Sequence, residues 1–157
     1  MILYHGSDRE ISSPDIMHSR SRVDFGKGFY TTPLYEQARK WSERYIRLGK
    51  PGVISRYSCD EQAWNSLKVL RFDSYSEEWL DFIVSCRSEQ DRSEYDIVIG
   101  GVANDRVFDT IELYFDGLID KPTAIERLRY QKPNIQICFR TQKSIDLCLH
   151  FERSERL

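Results

Sequence analysis

The sequence predicts an α+β fold in which two small mixed sheets are flanked by helices. Short strand-like runs are interrupted by helices without a regular strand–helix alternation, which argues against a doubly wound sheet. Several of those strands carry polar residues on one side, which suits half-covered sheets better than one buried parallel sheet. At 157 residues, 40% apolar and 13% aromatic, the chain can close one core of ordinary size. Residues 1–157 therefore read as a single domain, with no repeat, low-complexity segment or linker.

The elements follow in order. Ile2-Leu3-Tyr4 reads as a strand running into a His5-Gly6-Ser7 loop, and residues 8–24 are polar loop. Phe29-Tyr30-Thr31 is strand-like. Thr32 is expected to cap a helix with Pro33 at its first position; Leu34, Ala38, Trp41, Tyr45 and Leu48 make its apolar face, and Gly49 and Pro51 end it. Strands are expected at 53–57 and 67–70. A helix starting at Ser76 buries Trp79, Phe82, Ile83 and Cys86. Residues 95–99 form a strand broken by Gly100-Gly101. Asn104 or Asp105 caps a helix with Val107, Phe108, Ile111 and Tyr114, closed by Gly117. Thr123 starts a short helix, 135–139 is a strand, a helical turn surrounds Ser144, and a last strand lies near 147–151.

Lys plus Arg number 23 against 25 Asp plus Glu, so bulk charge does not hold this chain to nucleic acid. No apolar run is long enough to span a membrane. The opening MILYHGSDRE lacks the charge and apolar pattern of a signal peptide. Cys59, Cys86, Cys138 and Cys148 lie in apolar stretches without metal-ligand spacing. The expectation is a cytoplasmic protein with buried thiols, no metal and no membrane partner.

Single features say little. His5 is read as a loop histidine bonded to backbone. Gly26-Lys27-Gly28 lacks the spacing of a phosphate loop. Gly100-Gly101 is a tight turn or, before a helix, an anion site. In combination they are more specific. Leu3-Tyr4-His5-Gly6-Ser7, then Phe25-Gly26-Lys27-Gly28-Phe29-Tyr30, then a helix, resembles the NAD-binding half of the ADP-ribosyltransferase superfamily, in its diphtheria-toxin and poly(ADP-ribose) polymerase branch. The similarity is strong over the first third of the chain. It is greatest to small bacterial proteins suspected of being toxins paired with an antitoxin.

That resemblance implies an ADP-ribosyltransferase-like fold around an NAD cleft, with NAD as co-substrate and ADP-ribose passed to a protein or nucleic-acid acceptor. It implies that His5 bonds a ribose hydroxyl and the Gly6 backbone clamps the nicotinamide carboxamide. Ser7 supports the strand end, Gly28 belongs to the pattern, and Tyr30 stacks on the nicotinamide. Tyr35 or Gln37 closes the other side of the ring. The family's late-strand Glu is replaced here by Gln136, which bonds a hydroxyl but offers no charge to a transition state of oxocarbenium character. Asp105 is the candidate for a compensating carboxylate and general base, with Arg106, Arg20 and Arg22 as phosphate contacts. Two other readings stay open: an inactive NAD- or ADP-ribose-binding module, and a transferase acting on nucleic acid.

Overall fold

The computed structural model describes residues 1–129, 131 and 134–157. Among the described residues, seven strands and five helices run in the order β1 (Ile2–Ser7), β2 (Phe29–Thr31), α1 (Tyr35–Arg47), β3 (Val53–Cys59), β4 (Val69–Arg71), α2 (Glu77–Arg87), β5 (Ile97–Gly101), α3 (Asp105–Phe115), α4 (Lys121–Leu128), β6 (Ile135–Phe139), α5 (Gln142–Cys148) and β7 (Leu149–Arg156). A 3₁₀ turn at Gln62–Ser66 precedes β4. The fold is α+β, with an antiparallel sheet β1-β3-β7 and a mixed sheet β2-β6-β5-β4 in which β4 and β5 are parallel.

Two apolar clusters hold the layers. Leu3, Phe29, Tyr57, Ile97, Ile137 and Phe139 pack between the sheets. Phe25, Trp79, Ile83, Val98, Val107, Ile111 and Leu128 fill the space between the mixed sheet and α2, α3 and α4. All four cysteines are free and buried. Desolvation pushes Cys138 and Cys86 up to about 12 and Cys148 to about 11, so these thiols stay protonated and serve as packing. Among the described residues, no helix is long and apolar enough to cross a membrane.

Caps explain most helix starts. The Ser76 side chain accepts from the Trp79 N–H, Asn104 from Val107, Asp120 from Thr123 and Thr141 from Ser144. Asn104, not Asp105, is thus the cap of α3, and Asp120 starts α4 ahead of Thr123. Thr32 does not cap α1. Its backbone pairs with Tyr4 and its hydroxyl donates to the Ile135 carbonyl, so the helix begins at Tyr35.

The buried face of α1 matches the expected one at Ala38, with Trp41 and Tyr45 half-buried, and departs from it at the ends and at two polar positions. Gln37, Ala38 and Ser42 are buried, while Leu34 and Leu48 are exposed. Gly6 is the cause: a Cβ there would stand 2.3 Å from the Ala38 carbonyl and 2.7 Å from the Ser42 hydroxyl. The helix backbone lies so close to β1 that only small residues fit the contact. His5-Gly6-Ser7 is strand rather than loop, because β3 pairs with β1 along its whole length. Gly100 and Gly101 likewise end β5 opposite Gln136 and Ile135, and do not break it. β7 runs to Arg156, well past the expected end.

Candidate functional site

β1 and β2 belong to different sheets and touch at one backbone bridge. The Tyr4 N–H donates to the Thr32 carbonyl (2.8 Å) and the Thr32 N–H to Tyr4 (2.9 Å). Beyond that bridge the strands do not pair. Strand alternation fixes what lines the gap. Tyr4 turns its N–H and C=O away from β3, so Gly6, two residues on, does the same. Tyr30 shares its edge with Thr32 and aims its carbonyl back across the gap.

One side chain bridges the gap. The Nδ1 of His5 lies 2.7 Å from the Tyr30 carbonyl, and the ring stacks on Phe29 at 4.5 Å. A carbonyl only accepts, so Nδ1 carries the hydrogen. Burial, partly opposed by that hydrogen bond, lowers the His5 pKa, which keeps the ring neutral at pH 7. The tautomer is thereby set, and Nε2 is left as a lone-pair acceptor. Ser7 donates to the Arg9 carbonyl (2.5 Å) and fixes the turn out of β1.

Tyr30 and Gln136 share the other face of β2 and β6. Tyr30 pairs with Cys138, two residues beyond Gln136 on the same face. The Tyr30 hydroxyl accepts from the Phe25 N–H (3.0 Å) and donates to the Gly26 carbonyl (2.6 Å), so the aromatic ring is held rigidly; burial raises its pKa well above the usual value. Gly28 permits this packing, since a Cβ there would meet the Cys138 sulfur at 2.4 Å.

Gln136 is 3% exposed, and its Nε2 donates to Asp24 (3.2 Å) and to the Gly101 carbonyl (3.3 Å). Both neighbours only accept, so the amide orientation is fixed with Nε2 toward Asp24 and Gly101. The carboxylate in contact with Gln136 is therefore Asp24, not Asp105. Asp24 pairs with Arg87 at 2.8 Å, each side chain 13% exposed, and accepts from the Ala103 N–H. Arg87 also reaches Glu112 and lies over the Phe108 ring. Asp105 is exposed on the first turn of α3. No sequence signal marks Asp24, because its partners are 63 and 112 residues away.

The remaining candidates separate. Gln37 turns inward, donates to the Ile135 carbonyl (3.1 Å) and leaves its Oε1 buried without a partner. Tyr35 lies on the far face of the three-stranded sheet, edge-on to Tyr4 and bonded to Glu155 (2.5 Å), so it does not reach the Tyr30 ring. A cavity of about 110 Å³ lined by Tyr4, Tyr35, Arg56 and Arg153 lies on that same far face, away from His5 and Gln136. Arg22 pairs with Glu89, while Arg20 and Arg106 are exposed.

A family model described as "Protein of unknown function (DUF3990)" matches residues 1–151. No curated protein and no solved structure matches the chain.

Proposed function

The chain belongs to the DUF3990 family, and from its own residues we propose that it is an NAD-dependent mono-ADP-ribosyltransferase, the toxin of a bacterial toxin–antitoxin pair. The observation that carries this reading is the gap between β1 and β2. It presents an outward N–H and C=O from Gly6, a neutral His5 with Nε2 unclaimed, and the Tyr30 carbonyl that fixes that histidine. A carboxamide has one donor and one acceptor set to match the two Gly6 groups. The oriented Oε1 of Gln136 is a further acceptor for a hydroxyl hydrogen.

In this reading nicotinamide sits between the Gly6 backbone and the Tyr30 ring. His5 Nε2 and Gln136 Oε1 hold ribose hydroxyls. The bond from ribose to nicotinamide breaks, nicotinamide leaves with the bonding pair, and an acceptor nucleophile takes the ribosyl carbon and loses its proton. Positive charge develops on the ribose as that bond lengthens. Gln136 carries no charge, but its amide is polarised by the Asp24 carboxylate behind it, which acts through the hydrogen bond.

The neutral Gln136 equally favours a second reading, a module that binds NAD or ADP-ribose without turning it over. One experiment separates the two. Labelled NAD is incubated with the chain and bacterial lysate, and the product is digested with protease or with nuclease. A macromolecular label removed by one digestion supports the transferase and names the acceptor class. No label, with NAD still raising the melting temperature, supports the binding module. No label and no thermal shift overturns both.

A further inference from the structure

β7 is an edge strand: β3 covers one side of it, and the sheet order ends there. Its backbone is set to pair again. The Leu157 N–H bonds the Gly52 carbonyl at 2.9 Å, so alternation turns residues 155 and 153 toward β3 and leaves Ser154 and Arg156 with N–H and C=O facing outward.

The order of side chains along this edge is unusual. Phe151-Glu152-Arg153-Ser154-Glu155-Arg156-Leu157 is complementary to itself when reversed. Centred on Ser154, an antiparallel copy sets Arg153 against Glu155, Glu152 against Arg156 and Phe151 against Leu157. Moving the centre to Arg153 sets arginine against arginine, and moving it to Glu155 sets glutamate against glutamate. A centre on Ser154 also satisfies the backbone, because its outward N–H and C=O can be exchanged across a two-fold axis. Glu152 pairs with Arg56 at 2.9 Å and Glu155 accepts from Tyr35, while Arg153 and Arg156 have no ion-pair partner among the described residues, and all four are exposed.

We propose that a second copy of this chain docks on the free edge of β7, the two strands pairing antiparallel about Ser154 to make one continuous six-stranded sheet. Charged edge strands usually repel additional strands. Here the sequence of charges favours the register centred on Ser154 and repels the two next to it. The irregularity opposite Arg56 and Tyr57 takes Glu152 out of step with β3, so the pairing rests first on residues 153–155. A single strand pair is a small interface, and the dimer is correspondingly concentration-dependent. This inference does not depend on the activity proposed above.

The test is sedimentation equilibrium of the whole chain from about 1 to about 500 µM. The wild type is expected to pass from monomer to dimer across that range. Arg153→Glu turns two attractive cross-strand pairs into two repulsive ones and is expected to weaken the dimer about tenfold or more. The double variant Arg153→Glu/Glu155→Arg exchanges the charges and is expected to recover the wild-type constant. Circular dichroism confirms that each variant is folded. A wild type that stays monomeric throughout, an Arg153→Glu constant equal to wild type, or a double variant as weak as the single one would each overturn the proposal.

Discussion

At the scale of single residues, His5 links the candidate site to stability. Burial holds its folded pKa below 6.5, the value it takes in the open chain. Between those two values the unfolded state binds more protons, so stability is lost as pH falls through about 6.5 toward the folded value. The melting temperature should therefore drop between about pH 7.5 and pH 5.5, and His5→Asn should flatten that slope; an unchanged slope would assign the acid sensitivity elsewhere. Gln136 supports a second prediction. Gln136→Glu alone sets a carboxylate about 3 Å from Asp24 and forces the pair to share a proton, so it should destabilise the fold. Asp24→Asn/Gln136→Glu places a donor behind a carboxylate and moves the charge one residue closer to the ribose. NAD turnover by this double variant should equal or exceed wild type, as measured by nicotinamide release, and turnover below that of Gln136→Ala would show that Gln136 is not at the reacting centre.

At the scale of elements, β1 meets α1 at Gly6, where a Cβ would stand 2.3 Å from the Ala38 carbonyl. Gly6→Ala should cost about 1–3 kcal/mol, because the Ala38 carbonyl is backbone and cannot turn aside. Adding Ser42→Ala removes the hydroxyl but not the carbonyl, so the double variant should regain little of the lost melting temperature. Full recovery would place the clash on Ser42 instead. This seam also explains which parts of the fold were legible in the sequence. The caps Ser76 and Asn104 are local signals, and the helices after them begin where expected. The strand at Ile135–Phe139 is a local apolar run with matching ends. The inward face of α1 is set against a glycine in another element, so along the expected apolar stripe Ala38 is buried and Trp41 and Tyr45 are half-buried, but the end residues Leu34 and Leu48 are exposed. His5-Gly6-Ser7 is strand only because residues 53–55 lie beside it. For the candidate site, His5, Tyr30 and Gln136 are proposed from a pattern of residue types. Asp24 is not, because a carboxylate before an aromatic carries no local mark of a partner more than a hundred residues away.

At the scale of the whole molecule, the candidate gap lies where the two sheets meet, and residues 8–24 cross one side of it. The Ile11 N–H donates to the Ser55 hydroxyl, the Tyr57 hydroxyl to the Ile11 carbonyl, and the Ile16 N–H to Gln142. A partner protein that inhibits this chain would bear on that segment together with β1 and β2. Expression of the chain alone in bacteria should arrest growth if the proposed activity is right, and His5→Ala, checked for folding by circular dichroism, should relieve the arrest. Normal growth at high expression of folded wild type would favour the binding module. The buried thiols give an independent check on the integrity of each variant: all four should resist aromatic disulfide reagents until the chain is unfolded.

Because Tyr4 and Thr32 make the one backbone bridge between the two sheets among the described residues, drawing β1 away from β2 breaks their two backbone hydrogen bonds and the His5–Tyr30 bond while both ladders stay whole. The amide hydrogens of Tyr4 and Thr32 then act as a clock for that hinge. They should exchange with deuterated solvent sooner than those of Leu3 and His5, which face β3. A ligand seated across the gap should slow the first pair and leave the second unchanged, so exchange rates at two positions report occupancy without any assay of turnover.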